Sequence, residues 1–231
     1  MKLVLLHAFP LSSEMWRPQR DALGDIVAPD LRGFGSRAGL TGSIAEMADD
    51  VAGMIHDSPV VLGGLSMGGY VALAFARKYP EKLRGLILAD TKAEADDATG
   101  KANRDKMIAF AETHTPRDVI DSVMPKMAIQ PHAVEQIRAL ASAQPIAGIV
   151  NAVRAMRDRP DSSDVLPQIK VPTLVIVGSN DTLTPPGLAQ SLAGRIAGAK
   201  LVEIPGAGHI SNLENPAAFN DALKAFLTSI R

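Results

Sequence analysis

Short apolar runs alternate with longer amphipathic segments along most of this chain. Continuous apolar runs of this length are typical of strands that are covered on both faces of a parallel sheet. Six runs predict such strands, near residues 2–6, 25–28, 59–63, 84–89, 171–178 and 199–204. Helical segments lie between them, among them one that Ser43 opens with Glu46 at the capping-box spacing. The alternation predicts βαβ crossovers, and therefore an α/β fold with a mostly parallel sheet of about six strands flanked by helices.

The alternation stops between the fourth and fifth predicted strands. Residues 92–167 contain no run typical of a strand and predict several short helices separated by prolines. Helices inserted at this point would lie over the carboxyl ends of the strands, as a lid does. We therefore expect one integrated domain, with residues 1–91 and 168–231 as its core and residues 92–167 as a helical lid.

Several apolar side chains of the predicted lid are candidates for a substrate pocket. An adaptable wall for a small acyl or ring group could be built from methionine and other apolar residues. Packing of the lid against the core is the simpler explanation, and the two explanations do not exclude each other. The candidate pocket residues, with two from the core segment, are Trp16, Arg32, Met107, Phe110, Met124, Met127 and Ile149.

Composition narrows the possible functions of the 231-residue chain. Its net charge is about −1 without a run of basic residues, which disfavours nucleic acid or an anionic membrane surface as a partner. The absence of cysteine excludes disulfides and thiolate chemistry. Because the apolar run at the N-terminus is too short for a signal peptide or a membrane span, we expect a cytoplasmic location. The sequence does not distinguish a monomer from a small homo-oligomer.

The stretch Gly64-Leu65-Ser66-Met67-Gly68 joins the third predicted strand to a helix. A Gly-x-Ser-x-Gly turn in this context is typical of a nucleophile elbow, in which a strained turn exposes the serine Oγ. The flanking glycines are needed because a Cβ atom there would collide with the neighbouring strand or helix. Ser66 is therefore the candidate nucleophile.

A serine nucleophile needs a base within hydrogen-bonding reach and a carboxylate that orients the base. Ser66, Asp181 and His209 each follow a predicted strand, so all three are expected at the carboxyl edge of the sheet. His209 lies in a glycine-containing loop after the last strand, unlike the other four histidines. Asp90, after the fourth strand, is a rival to Asp181 as the orienting carboxylate, and the sequence does not exclude it.

Acyl transfer also requires two N–H donors for the developing oxyanion. The backbone N–H of Met67, directly after the nucleophile, is one candidate. The second is expected from the loop after the first strand, at Phe9. His7 in the same loop is expected to hold the loop's shape rather than to transfer a proton. The scattered histidines predict no metal site, and we expect no cofactor.

Five motifs occur in an order that resembles the α/β-hydrolase superfamily, in its branch of small esterases, enol-lactonases and cofactor-free perhydrolases. They are His7-Ala8-Phe9-Pro10, Asp30-Leu31-Arg32-Gly33-Phe34-Gly35-Ser36, Gly64-Leu65-Ser66-Met67-Gly68-Gly69, Gly178-Ser179-Asn180-Asp181 and Gly206-Ala207-Gly208-His209. The resemblance implies Ser66, Asp181 and His209 as a catalytic triad, with Phe9 and Met67 lending oxyanion N–H groups. The chain departs from the family's pattern in two ways. Ala8 stands where glycine is commoner, and the usual N-terminal antiparallel hairpin is not predicted.

These observations predict a serine carboxylesterase that acts on small esters or lactones. Two alternatives use the same site: an enol-lactonase of aromatic degradation and a perhydrolase. An enol-lactonase for a dicarboxylate needs cations in its pocket, for which Arg32, Arg154 and Arg157 are candidates. The alternative of another class is a non-catalytic receptor that retains the hydrolase fold, although no member of the triad is missing.

Overall fold

Six parallel strands form a single sheet in the computed structural model, which describes residues 2–55 and 59–230. Their order across the sheet is β2-β1-β3-β4-β5-β6, and every neighbouring pair is parallel. The strands are β1 Leu3–Leu6, β2 Ile26–Val27, β3 Val60–Leu65, β4 Leu83–Ala89, β5 Thr173–Gly178 and β6 Lys200–Ile204. The predicted fold class is confirmed, and β2 is shorter than predicted.

Helices connect the strands, as the alternating pattern of the sequence predicts. They are α1 Arg17–Leu23, α2 Ile44–Met54, α3 Met67–Lys78, α4 Ala98–Ala111, α5 Pro116–Met127, α6 Pro131–Ser142, α7 Ile146–Arg157, α8 Pro186–Gly194, α9 Ser211–Glu214 and α10 Pro216–Ser229. No helix in these described segments combines the length and the apolar character needed to cross a bilayer.

Half of the capping box predicted for α2 is present. The Ser43 side chain accepts a hydrogen bond from the Glu46 N–H at 3.1 Å. The Glu46 carboxylate accepts instead from the N–H of Gly42, one residue before the cap, at 2.7 Å. Both contacts use side-chain oxygens to satisfy backbone donors at the start of the helix, which is the purpose of capping.

Strand residues alternate between two hydrophobic cores, one on each face of the sheet. In β1, Val4 and Leu6 belong to the core that α2, α3 and α8 cover. Leu3 and Leu5 belong to the opposite core, which is covered by α10 and closed at its margin by α1. Because alternate side chains of a strand point to opposite faces, a run that is apolar at every position is buried from both sides.

Helices α4 to α7 lie between β4 and β5 in the chain, as the sequence predicted. They pack as two pairs, α4 with α7 and α5 with α6. The first pair contributes Ile108 and Ile149 to the core beside α3. The second contributes Met124 and Met127 to the opposite core. The inserted helices therefore extend both cores, and we refer to residues 92–167 below as the helical insertion.

An ion pair holds the two ends of the helical insertion together. Arg159 donates to the Asp96 carboxylate at 2.9 Å, and its guanidinium lies 4.1 Å from the ring centroid of Tyr70 on α3. Burial acts to raise the pKa of Asp96, but hydrogen bonds and charges of Arg159 and Arg104 outweigh it and lower the pKa to about 2. The pair is therefore charged at neutral pH and ties the start and end of the insertion to the core.

A second contact between insertion and core depends on two glycines. Gly148 in α7 lies so close to the loop after β2 that a Cβ atom would be 1.9 Å from the carbonyl oxygen of Gly33. We expect Gly148→Ala to lower the free energy of unfolding by about 1–3 kcal/mol, because α7 or the loop must move. Urea unfolding provides the measurement.

Gly187→Ala in α8 is the matched control, since no atom lies within 4 Å of the added Cβ. We expect its free energy of unfolding to be unchanged or raised by up to about 1 kcal/mol through helix propensity. Equal losses in both variants would contradict a role for close packing at Gly148.

Candidate active site

Ser66 connects β3 to α3 with a left-handed backbone, at φ 55° and ψ −112°. This region is unfavourable for a residue with a Cβ and persists only where surrounding contacts impose it. Two contacts do so here. The Ser66 N–H donates to the carbonyl of Ala89 on β4 at 2.9 Å, and the Thr91 hydroxyl donates to the Ser66 carbonyl at 2.9 Å. The turn thereby presents the Ser66 side chain, which is partly exposed.

The glycines around Ser66 are required by close approaches of the backbone. A Cβ on Gly64 would lie 2.0 Å from the carbonyl oxygen of Gly68, across the turn. A Cβ on Gly68 would lie 2.3 Å from the carbonyl oxygen of Leu6 at the end of β1. Both distances are far below van der Waals contact. The steric requirement expected of the Gly-x-Ser-x-Gly pattern is therefore present in the structure.

His209 and Asp181 form a continuous hydrogen-bonded chain with Ser66. His209 Nδ1 lies 2.8 Å from an Asp181 carboxylate oxygen, and His209 Nε2 lies 2.8 Å from Ser66 Oγ. An ionised carboxylate only accepts, so Nδ1 carries the proton that it donates to Asp181. Nε2 is then free to accept from Ser66. His209 and Asp181 are each 3% exposed, so the two groups behind the serine are shielded from water.

The Asp181 carboxylate is held by its own loop as well as by His209. It accepts from the N–H groups of Leu183 at 2.8 Å and Thr184 at 3.0 Å, and from the Thr184 hydroxyl at 2.6 Å. Burial acts to raise the pKa of Asp181, but the hydrogen bonds and charge of His209, with those from Thr184, hold it below its ordinary value. Asp181 is therefore ionised at neutral pH and oriented toward the imidazole.

Sequence reasoning did not assign Thr184 a role. The sequence does contain a signal for this role, namely the Asp-x-x-Thr spacing from Asp181 to Thr184. A hydroxyl three residues after an aspartate can donate a hydrogen bond to its carboxylate. Thr91 follows Asp90 directly, and from the sequence it could either contact substrate or only begin the insertion. The structure gives both threonines supporting roles, Thr184 at the Asp181 carboxylate and Thr91 at the Ser66 carbonyl.

Asp90, the rival carboxylate, has different partners. Its Oδ1 accepts from the N–H of Gly178 at 2.8 Å, and its Oδ2 makes a short hydrogen bond with the Ser211 hydroxyl. Asp90 is fully buried. The carboxylate that contacts His209 is that of Asp181.

The two candidate oxyanion donors are free to bind a ligand. In the described parts of the chain, neither the Phe9 N–H nor the Met67 N–H donates to a protein acceptor. Met67 is the first residue of α3, where the helix leaves its leading N–H groups unpaired and the helix dipole favours negative charge. The Ala8 N–H, by contrast, already donates to the Met15 sulfur at 3.2 Å.

His7 holds the loop that carries Phe9. Its Nε2 accepts from the N–H of Leu31 at 3.0 Å, and its Nδ1 lies 3.0 Å from the carbonyl oxygen of Ala8. Its ring also meets the edge of Phe34 at 5.1 Å between centroids. Burial lowers the pKa of His7 to about 4, although its hydrogen bond to Ala8 opposes the shift. Neutral His7 thus joins the loop after β1 to the loop after β2.

The loop after β2 is organised by the Asp30 side chain. Asp30 accepts from the N–H groups of Ser13 and Ser36, each at 2.8 Å, and from the Ser36 hydroxyl at 3.1 Å. Asp30 therefore has a structural role, which is to hold this loop against the segment that begins at Ser13.

Four of the candidate pocket residues are buried in the hydrophobic cores. Trp16 lies 6.0 Å from Phe219 between ring centroids and shares a core with Met124 and Met127. Ile149 is buried in the other core. These contacts correspond to the packing explanation given for the apolar residues of the insertion.

The other candidates lie nearer the surface. Met107 and Phe110 are partly buried on α4, and Phe110 stacks on His114 at 3.8 Å between ring centroids. The Arg32 guanidinium pairs with the Asp50 carboxylate of α2 at 2.8 Å. His56, one of the histidines set aside from the sequence, lies outside the described residues.

The arginines considered for a dicarboxylate pocket are each paired with an acid of the chain. Besides Arg32, Arg154 pairs with Glu112 at 2.5 Å, and Arg157 pairs with Asp105 at 2.7 Å. All three guanidinium groups are partly exposed. Their charges are therefore balanced locally, which disfavours the interpretation of these arginines as a receptor for substrate carboxylates.

Comparison with known proteins agrees with this geometry. The model of a family described as the alpha/beta hydrolase family matches residues 3–222. The chain belongs to the alpha/beta hydrolase family. Its six parallel strands, the serine turn after β3 and the chain order Ser66, Asp181, His209 are those expected for an alpha/beta hydrolase.

Solved and curated members of the alpha/beta hydrolase family match nearly the whole chain. A thermophilic esterase from Thermogutta terrifontis, with malate bound, is 38% identical with a TM-score of 0.96, covering 100% of this chain and 90% of that one. A pimeloyl-acyl-carrier-protein methyl ester esterase from Neisseria meningitidis is 28% identical, and the match covers 98% of this chain and 92% of that protein. The 3-oxoadipate enol-lactonase 2 from Acinetobacter baylyi is 28% identical, and the match covers 97% of this chain and 88% of that protein.

The buried neutral His7 predicts a dependence of stability on pH. Between about pH 6.5 and pH 4 the unfolded chain binds a proton at this histidine and the native state does not, so stability is lost as pH falls. From the lowered pKa of His7, about 4, we expect a contribution of about 3 kcal/mol to this loss. Urea unfolding at pH 7 and about pH 4 provides the measurement.

Comparison of wild type with His7→Gln isolates this contribution, because glutamine does not titrate and can still accept from Leu31. We expect the loss between the two pH values to be smaller by about 3 kcal/mol in His7→Gln. His114→Gln, at an exposed position just after the end of α4, serves as the control. A loss that is the same in wild type and His7→Gln would contradict the prediction.

Proposed function

We propose that the protein is a serine carboxylesterase that cleaves small esters or lactones through an acyl-enzyme formed on Ser66. The observation that carries the proposal is the chain of hydrogen bonds from Ser66 Oγ to His209 Nε2 and from His209 Nδ1 to Asp181, each 2.8 Å long. A serine, a base and an orienting carboxylate in this geometry are the parts that acyl transfer needs.

In the first half of the reaction, Ser66 Oγ attacks the ester carbonyl while His209 Nε2 removes its proton. Asp181 stabilises the imidazolium that forms, and it does so from a site with little exposure to water, where a charge interaction is strong. The oxyanion of the tetrahedral intermediate accepts hydrogen bonds from the Phe9 and Met67 N–H groups. Collapse of the intermediate breaks the bond to the alcohol, and His209 transfers its proton to the departing oxygen.

In the second half, water replaces the alcohol. His209 Nε2 takes a proton from the water as its oxygen attacks the acyl carbon, and the second oxyanion occupies the same two N–H groups. Collapse releases the carboxylic acid and returns the proton from His209 to Ser66 Oγ. The same residues therefore serve both steps, and no other reactant is consumed.

We propose further that the helical insertion acts as the lid of this site. Two contacts support this role. The Ile210 N–H, directly after His209, donates to the carbonyl of Met127 at the end of α5 at 3.2 Å. The approach of Gly148 to Gly33 brings α7 to the loop that His7 joins to Phe9. The insertion thus contacts two loops of the site, on either side of Ser66.

The proposed substrates are uncharged at the acyl end. An enol-lactone with a second carboxylate would need a cation, and Arg32, Arg154 and Arg157 are each paired with an acid of the chain. For any of these three arginines, a substrate carboxylate would compete with the acid that the guanidinium already contacts. Small neutral esters and lactones make no such demand.

The experiment that tests the proposal is rapid-mixing hydrolysis of p-nitrophenyl acetate by wild type and Ser66→Ala. We expect a burst of p-nitrophenol from the wild type, because acylation releases it before water frees the enzyme. We expect Ser66→Ala to lose the burst and at least about 1000-fold in kcat, since serine and base act as a unit.

Ser122→Ala is the matched control, because the Ser122 hydroxyl donates only to its own helix, at the Val119 carbonyl. We expect it to hydrolyse p-nitrophenyl acetate at the wild-type rate. Equal rates in wild type and Ser66→Ala would reject the esterase proposal and favour a non-catalytic receptor.

A further inference from the structure

A second buried carboxyl group, Asp90, contacts both loops of the site. It follows β4, is fully buried and has a left-handed backbone with φ 44°. Its Oδ1 accepts from the N–H of Gly178, three residues before Asp181. Its Oδ2 bonds to the hydroxyl of Ser211, two residues after His209. One side chain therefore joins the loop that carries the carboxylate to the loop that carries the base.

The environment favours the neutral form of this carboxyl group. Burial, followed by the nearby charge of Asp181, raises the pKa of Asp90 well above its ordinary value, and the hydrogen bonds from Ser211 and Gly178 only partly oppose the shift. A neutral carboxyl has one O–H donor and a remaining acceptor. In this form Asp90 keeps both contacts, accepting from Gly178 through Oδ1 and sharing one proton with the Ser211 hydroxyl at Oδ2, without presenting a second negative charge to His209.

Glu214 anchors the same loop from its other side. It accepts from the N–H of Gly208 at 2.9 Å, and also from the N–H of Ile129 at 2.8 Å in the helical insertion. Residues just before and just after His209 are thus each held by a buried carboxyl group. Of the two groups, Asp90 is the one that also reaches the strand leading to Asp181.

We propose that Asp90 is a positioning residue for ester hydrolysis, which fixes the Asp181–His209 hydrogen bond by joining Gly178 to Ser211. The proposal rests on the proposed function, since the geometry it protects is that of the Ser66 reaction. A buried carboxyl on a left-handed backbone is costly. Asp90 supplies in return a side-chain link between the two loops, in addition to the backbone hydrogen bond from the Asn180 N–H to the Ala207 carbonyl at 2.9 Å.

The test compares variants that break this link with one that preserves it. Ser211→Ala removes one end, and we expect kcat for p-nitrophenyl acetate to fall about tenfold or more with KM within about twofold, because the loss is one of alignment. We expect Asp90→Ala to lower kcat by as much. The double variant of Ser211→Ala and Asp90→Ala should lower kcat no further than either single variant, since all three break the same link.

Asp90→Asn is the conservative variant that should preserve the link. Asparagine tolerates the left-handed backbone, its carbonyl can accept from Gly178, and its amide can donate to Ser211. We expect its kcat to remain within about threefold of wild type. A loss in Asp90→Asn as large as in Asp90→Ala would overturn the proposal, because the neutral hydrogen-bonded group would then be insufficient.

Thr173→Val is the matched control for loss of a buried hydroxyl. Thr173 begins β5, the strand that ends at Gly178, and its hydroxyl donates to the Val171 carbonyl at 3.0 Å, far from the site. We expect Thr173→Val to lower Tm without changing kcat. If Ser211→Ala lowers Tm and also leaves kcat unchanged, Asp90 has only a structural role and the proposal is overturned.

A spectroscopic measurement separates this proposal from the esterase proposal. The Nδ1 proton that His209 donates to Asp181 is expected to give a downfield proton NMR signal in the ligand-free protein, so no substrate is needed. We expect the signal in Ser211→Ala to broaden through faster exchange with water, and to remain sharp in Thr173→Val and Asp90→Asn. A sharp signal in Ser211→Ala would overturn the positioning role, whatever the result with Ser66→Ala.

Discussion

The left-handed backbone of Ser66 is the constraint on which the rest of the site depends. It turns the chain from β3 into α3 within one residue, so the hydroxyl stands at the edge of the sheet and the next N–H begins a helix. The turn is possible because Gly64 and Gly68 have no side chain. A Cβ atom at either position would lie only about 2 Å from a backbone carbonyl oxygen. Hydrogen bonds to Ala89 and from Thr91 then hold the strained residue against β4.

The sheet determines where the partners of Ser66 are found. Because β3, β4, β5 and β6 are parallel neighbours, their carboxyl ends lie side by side, and residues far apart in the chain meet there. Periodicity in the sequence is enough to predict these strands, and the strands are enough to predict that Ser66, Asp181 and His209 lie at one edge. The fold, Ser66 and His209 could therefore be predicted from local patterns, with Asp181 and Asp90 as the two candidate carboxylates.

Other features of the site could not be predicted, because they depend on contacts that no local pattern encodes. The choice between Asp90 and Asp181 depends on where each side chain points, and the partner of Asp90, Ser211, lies 121 residues away. Arg32 and Arg154 were ambiguous for the same reason, since their acidic partners, Asp50 and Glu112, lie 18 and 42 residues away in the chain. Both carboxyl groups are buried, and their partners make the difference: His209 and Thr184 hold the pKa of Asp181 below its ordinary value, whereas the pKa of Asp90 is raised. These partners are a property of the fold.

The ends of the helical insertion meet at one place, where Asp96 pairs with Arg159 and the Ser162 N–H donates to the Ala93 carbonyl at 2.9 Å. A segment closed at its base leaves the spacing of β4 and β5 independent of its length, and added residues cost little entropy once the loop is closed. Helices α4 to α7 lie between these two points and can be regarded as one exchangeable unit. Their number and sequence can change in evolution or by engineering while the sheet, and the serine turn on it, keep their geometry.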